Sequence, residues 1–266
     1  MKSKFDLTGT GAAKRVFPAG RGSGGGFTLV ELSIVLIIIG VIAGGIIVAK
    51  SMIQAARVEA VVRQIQQYDA AVANFQTKYG GLPGDSTVMG CVDGVNNNVC
   101  GNGIIGDDGN SSPKYFKGET ANFWPNLQVS GFTYPQTFTP VINGTFNASP
   151  TAPNAPVIAA SNPGSVIAAY WYHDNSKNVY LSGDWTGLDI SGAGANTISD
   201  TKFIFRPEMA LAIDTKMDDG QPGSGKVSVW KETGACDNTI GSQYDVDTAD
   251  ATCDLSFEMN SQNGGQ

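Results

Sequence analysis

Apolar and polar positions fall into three patterns along the chain. From Phe27 to Ala49 runs FTLVELSIVLIIIGVIAGGIIVA, 23 residues with a single charge, Glu31. At about 1.5 Å per residue, a helix of this length reaches roughly 34 Å and spans a bilayer core of about 30 Å. After Ala49 the apolar residues become periodic. Val58, Val61, Val62, Ile65, Tyr68, Val72, Phe75 and Tyr79 recur at intervals of three and four, the stripe of an amphipathic helix. Arg57, Glu59, Arg63, Gln66, Gln67 and Asn74 fall largely on its other faces. Gly80-Gly81 supplies a stop and Leu82-Pro83-Gly84-Asp85 a turn. The pattern predicts one helix from about Phe27 to Tyr79, apolar all round in its first half and on one side in its second.

The third pattern fills the remainder. Residues 84–112 are rich in Gly, Asn and Asp and read as an irregular loop. A short helix is expected from about Lys117 to Val129, and residues 133–164 as an exposed loop. Val166–Tyr172 and Asn178–Ser182 are strand-prone and flank a turn, which predicts a hairpin. Lys202–Arg206 is a short β-prone run. Met209–Asp214 and Lys226–Lys231 flank the turn Asp218–Gly225 and predict a second hairpin. The fold class is therefore α+β, an antiparallel sheet of four or five strands covered by the base of the long helix.

Composition and charge divide the chain in the same way. Of 266 residues only 15% are charged, and the net charge is −7. The first 26 residues hold five basic residues (Lys2, Lys4, Lys14, Arg15, Arg21) and one acid (Asp6). The other 240 hold 12 basic and 23 acidic residues. A basic head before an apolar span should stay cytoplasmic and place the acidic body across the membrane. The acidic body also argues against nucleic acid as a partner, since phosphate binding draws on Lys and Arg. An ordinary secretory signal has a shorter apolar region. A plain anchor leaves Glu31 without a purpose, because a carboxylate within a membrane is costly.

Gly26-Phe27-Thr28-Leu29-Val30-Glu31, followed by the apolar run, resembles the class III signal of type IV pilins and type II secretion pseudopilins. The resemblance implies a leader over 1–26, a long helix over 27–82 with 27–49 in the membrane, and a periplasmic or extracellular head over 83–266. It implies cleavage between Gly26 and Phe27 by a prepilin peptidase, N-methylation of Phe27, and a role for Glu31 in assembly. The partners it implies are that peptidase, the inner membrane and other pilin or pseudopilin subunits. The expected product is a structural subunit of a type IV pilus-like filament. The alternatives are a secretion pseudopilin and a membrane-anchored periplasmic adhesion or binding module. The location implied is the bacterial inner membrane with a periplasmic head, then a surface filament or a periplasmic pseudopilus. Val48 stands where many members carry a helix proline.

Four cysteines, Cys91, Cys100, Cys236 and Cys253, allow three connectivities. Local pairing, Cys91 with Cys100 and Cys236 with Cys253, is favoured, because it would staple loops poor in apolar residues. The spacings do not match a zinc ribbon. By resemblance, the C-terminal cysteine-bounded loop corresponds to the D-region of pilins, a surface used in filament contacts or adhesion. Asp214–Gly220 and Asn102–Asn110 carry clusters of oxygen-bearing side chains on turns. They read as turn chemistry, with calcium as the alternative; no ligand is assigned and no cofactor expected. The lone His173 lies in a predicted turn with no nucleophile motif beside it. Tyr170, Trp171, Tyr172 and Trp185 read as sheet core and rim. No catalytic constellation is present in the sequence, and the protein is not expected to be an enzyme.

Overall fold

The computed structural model describes residues 26–89, 100–106, 119–132, 138, 155–159, 165–172, 177–184, 204–230, 236, 243–247 and 253–260, with 121, 171, 172 and 184 described by their backbone alone. The chain divides into two compact units, one ending at Ala49 and the other starting at Lys50.

The first unit is the beginning of helix α1, Leu29–Tyr79. Every residue from Leu29 to Arg57 is exposed. The second unit begins with the rest of that helix, and there the periodic stripe is buried: Val58, Val61, Val62, Ile65, Tyr68, Val72 and Phe75. Threes and fours keep these side chains on one face, so burial follows the spacing. The helix stops where the Gly80 N–H closes a last bond to the Gln76 carbonyl at 2.8 Å.

Tyr68 is the hub of the core. Its ring lies 4.7 Å from that of Trp124, 5.9 Å from Phe132 and 5.8 Å from Tyr180, with each pair tilted or edge-on. Aromatic rings favour such angles, each pair adding about 0.5–1.5 kcal/mol beyond area burial. Trp124 belongs to α2, Glu119–Val129, close to the expected helix. Its end is a Schellman turn: Phe132 N–H donates to Leu127 O and Gly131 N–H to Gln128 O, both at 3.1 Å. Gly131 sits there at φ 106, and the turn delivers Phe132 to Tyr68.

The sheet has four antiparallel strands in the order β1-β2-β4-β3. Strand β1 is Ser165–Tyr172 and β2 is Lys177–Asp184, the expected first hairpin. Strand β3 is Val227–Val229 and β4 is Leu255–Glu258. Register aligns Tyr180, Phe257 and Val227 across three strands, so one face presents them together. Consecutive residues of β1 from Ser165 to Tyr170 are all buried, so both faces of this strand are covered. Helix α2 packs on β1.

Three expectations are corrected. Met209–Asp214 is not a strand but part of helix α3, Pro207–Met217. Pro207 opens it with a φ already suited to a helix, Glu208 sits in its first turn, and Ala210, Ile213 and Asp214 are buried at helical spacing. The turn Asp218–Gly225 therefore links α3 to β3 rather than joining two strands, so no second hairpin forms there. Most of the expected exposed loop over residues 133–164 lies outside the described residues, and of those described Phe138, Ala155 and Ile158 are buried rather than exposed. There Gln64 of α1 acts like a strand edge: Nε2 donates to Val157 O at 2.7 Å, and Oε1 accepts from Ala159 N–H at 2.6 Å. Of the run Lys202–Arg206, Phe205 forms an isolated bridge with Cys253, while residues 202 and 203 lie outside the described residues.

Candidate functional site

Gly26 and Phe27 precede α1 and are exposed, Phe27 almost fully. Thr28 and Glu31 then start the helix by capping each other. Glu31 Oε2 accepts from the Thr28 N–H at 2.9 Å and from its hydroxyl at 3.0 Å. In return the Glu31 N–H donates to Thr28 Oγ1 at 3.2 Å. This is a capping box, which satisfies two orphan helix donors at once. Sequence reasoning placed Glu31 but missed this role, although Thr-x-x-Glu ahead of an apolar run is its signature.

Beyond the cap, α1 offers a surface that water does not favour. Its most apolar 18-residue window has a mean hydropathy of 3.0 with nothing buried. Leu29, Val30, Leu32, Ile34, Val35, Leu36, Ile37, Ile38 and Ile39 are each about half exposed or more, as are others out to Ile53. Added Cβ atoms at Gly40, Gly44 and Gly45 would meet nothing within 4 Å. By length and composition this helix is suited to a membrane span or a signal. Apolar area at this density demands lipid or other apolar surface, at roughly 25 cal/mol per Å².

Cys236 and Cys253 form a disulfide, with their Cα atoms 5.0 Å apart. It ties the segment around Tyr244 to the strand end at Cys253, where Phe205 also pairs. Cys100 is disulfide-bonded, while Cys91 lies outside the described residues. His173 and Trp185 lie outside them too, and no side-chain placement is described for Trp171 or Tyr172. Tyr170 is buried, edge-on to Trp230 at 5.8 Å, which is a core role.

Carboxylate oxygens of Asp214, Asp218 and Asp219 lie within 4.8 Å of one another, a spacing that suits a cation. Each also has a protein donor. Asp214 accepts from the Tyr244 hydroxyl at 2.7 Å and the Gly220 N–H at 3.1 Å. Asp218 accepts from the Lys226 N–H, and Asp219 from the Gln221 N–H and the Ser224 hydroxyl. Burial pushes the Asp214 carboxyl up to about 6, against the pull of its Tyr244 and Gly220 hydrogen bonds. Asn102 makes an Asx turn to the Ile104 N–H at 2.8 Å. These contacts are turn chemistry: the side chains fix backbone loops. The cap and apolar face of α1 therefore stand out as the candidate site. No protein-family model, no curated protein and no solved structure matches the chain.

Proposed function

We propose that the protein is a structural subunit of a type IV pilus-like filament, made as a precursor and assembled through its N-terminal helix. The observation that carries this reading is α1 itself: one continuous helix whose beginning is apolar and exposed on every side and whose remainder belongs to a folded α+β head. A helix of that kind is stable in a bilayer or in a bundle of its own copies. The Gly26-Phe27 junction with Glu31 supports the processing step.

In this reading a prepilin peptidase of the inner membrane cuts between Gly26 and Phe27 and leaves an ammonium group on Phe27. That group lies one helical turn from Glu31, at the positive end of the helix dipole. In the free subunit Glu31 is occupied by Thr28. In a bundle, a neighbour's ammonium offers the same carboxylate a charge-assisted bond, about twice as strong as a neutral one. A misregistered neighbour would leave a charge buried without its partner, a penalty of several kcal/mol. Glu31 thus sets the register between subunits.

Mass spectrometry of the native N-terminal peptide tests the processing: a mature chain starting at methyl-Phe27 is expected, and one starting at Met1 or after Ala49 overturns it. Paired variants test assembly. Glu31→Gln keeps the capping hydrogen bonds and loses the charge, while Glu31→Ala loses both. Filament recovery should collapse in both; recovery retained in Glu31→Gln would reduce Glu31 to a helix cap.

A further inference from the structure

Charge along the chain changes sign twice more just past the apolar run. Of the 12 basic and 23 acidic residues that follow residue 26, three basic ones (Lys50, Arg57, Arg63) and two acidic ones (Glu31, Glu59) lie before residue 66, which leaves nine basic and 21 acidic for the head. A short basic belt therefore separates the apolar run from the acidic head. Its members differ in their surroundings. Arg63 Nε pairs with Glu59 at 2.9 Å, and Glu59 also pairs with Lys216 of α3, so these charges meet one another within the chain. Lys50 and Arg57 are exposed, and among the described residues neither enters an ion pair. They lie about two helical turns apart and so share one face of α1.

The apolar surface around Lys50 is exposed as well. Met52 and Ile53 are 68% and 54% exposed, so the apolar surface of α1 continues past Ala49 and encloses Lys50. A lysine set among exposed apolar side chains keeps its stem in the apolar layer and carries its ammonium to the nearest water or phosphate. Arg57 comes one turn after Ile53, a rise of about 6 Å, comparable with the roughly 5–8 Å of a headgroup layer. Side chains on an α-helix tilt toward its N-terminus. In a membrane stem that end is the one in the lipid, so Lys50 and Arg57 lean back toward the bilayer. Basic residues on the far side of a span also run against the bias that orients it, since Lys and Arg gather on the cytoplasmic side. Their presence there points to a partner.

We infer that the face of Lys50 and Arg57 is a docking surface for the phosphate headgroups of anionic phospholipids, and that this collar fixes how deep α1 sits in the bilayer. The inference rests on the reading of α1 as a membrane stem and adds the class of lipid around it. A guanidinium grips phosphate oxygens in pairs, and an ammonium attracts them as a point charge. Each such cation at an anionic surface strengthens attachment about fivefold. A headgroup layer fits this face better than the acidic head of a second copy, because the apolar side chains around Lys50 need lipid where an acidic protein surface would leave them wet. The same headgroups repel the acidic head, so the subunit has one preferred depth, with the collar in the phosphate layer and the head clear of it.

Native mass spectrometry of the full chain, released from bilayers of equal parts phosphatidylcholine and phosphatidylglycerol, tests this through the ratio of the two lipids it retains. The wild type should retain phosphatidylglycerol preferentially. Lys50→Gln and Arg57→Gln should each lower that preference about fivefold, and the double variant by about the product of the two. Arg63→Gln, whose charge Glu59 already meets, should stay within about twofold of wild type. The basic residues of the leader are common to every variant, so differences between variants report on the collar. Insertion is checked separately, by flotation with neutral phosphatidylcholine vesicles after an alkaline wash. A chain left in the aqueous fraction overturns the membrane stem and the collar with it. An inserted chain that retains both lipids equally, or that keeps its preference in the double variant, overturns the collar alone. If a double variant with unchanged lipid preference also fails to form filaments, the face meets the acidic head of a neighbouring subunit instead.

Discussion

Helix α1 contains two stretches with the same backbone and opposite surroundings. From Leu29 to Ile53 its apolar side chains are exposed on all sides; from Val58 to Phe75 seven side chains on one stripe are buried. The first stretch is the more hydrophobic of the two, yet it contributes nothing to the core. Hydrophobicity alone therefore does not mark what is inside this protein; periodicity does. A stripe has one partner surface and finds it within its own chain, whereas an all-round apolar helix needs partners from outside.

Substitutions in the two stretches should separate cleanly. Tyr68→Ala removes the ring that joins Trp124, Phe132 and Tyr180 and should cost the head about 3–5 kcal/mol, read as a fall in thermal midpoint. Ile38→Ala, in the exposed stretch, should leave that midpoint within about 0.5 kcal/mol of wild type. An equal loss from both would break the comparison.

Gly84→Ala should rank next. A methyl group there meets the Glu119 carbonyl at 2.2 Å and a backbone at φ +84, so a loss on the order of 3 kcal/mol is expected in denaturant titrations. A near-neutral result would mean that the Gly84–Glu119 contact relaxes freely.

A smaller effect concerns pH. Asp214 titrates near 6 in the folded head and near 4 when unfolded, so the folded state binds the extra proton. Stability from this group is fully present below about pH 4, declines as pH rises to about 6, and is level above. Asp214→Asn should remove that slope from urea midpoints measured across the interval. An unchanged slope would assign it to other buried acids.

The smallest effect lies at the border of the two stretches. Glu59 pairs with Arg63 at 2.9 Å and with Lys216 of α3, and the hydrogen bonds from Lys216 and Arg63 hold its carboxyl below the usual range. The group is open to solvent, so Lys216→Met should leave the midpoint nearly unchanged at physiological salt. A clear destabilisation would show that α3 depends on this ion pair for its place.

Legibility in the sequence followed how local each signal is. The stripe on α1, the hairpin β1–β2 and α2 all rest on neighbours within a few residues, and all three appear. Met209–Asp214 failed because six apolar-rich residues suit either period, and the deciding mark, Pro207 at the first helical position, lay just outside the run. Leu255–Glu258 carried no visible signal; it is a strand because β2 and β3 flank it. In the candidate site, Gly26, Phe27 and Glu31 were singled out by resemblance, while the favoured local pairing of Cys236 with Cys253 is the bond the fold makes. The hold of Asp85 on the Gly101, Asn102 and Gly103 amides was not legible, because it joins two segments that only the fold brings together.

The position of β4 has a consequence for how the protein is made. This strand ends at Glu258, near the end of the chain, yet it sits inside the sheet between β2 and β3. Until it arrives, β2 and β3 each present a row of unpaired backbone groups, the kind of edge that recruits other chains. Closure of the sheet waits on β4, so a chain cut short before Leu255 would leave β2 and β3 with bare edges open to aggregation and proteolysis.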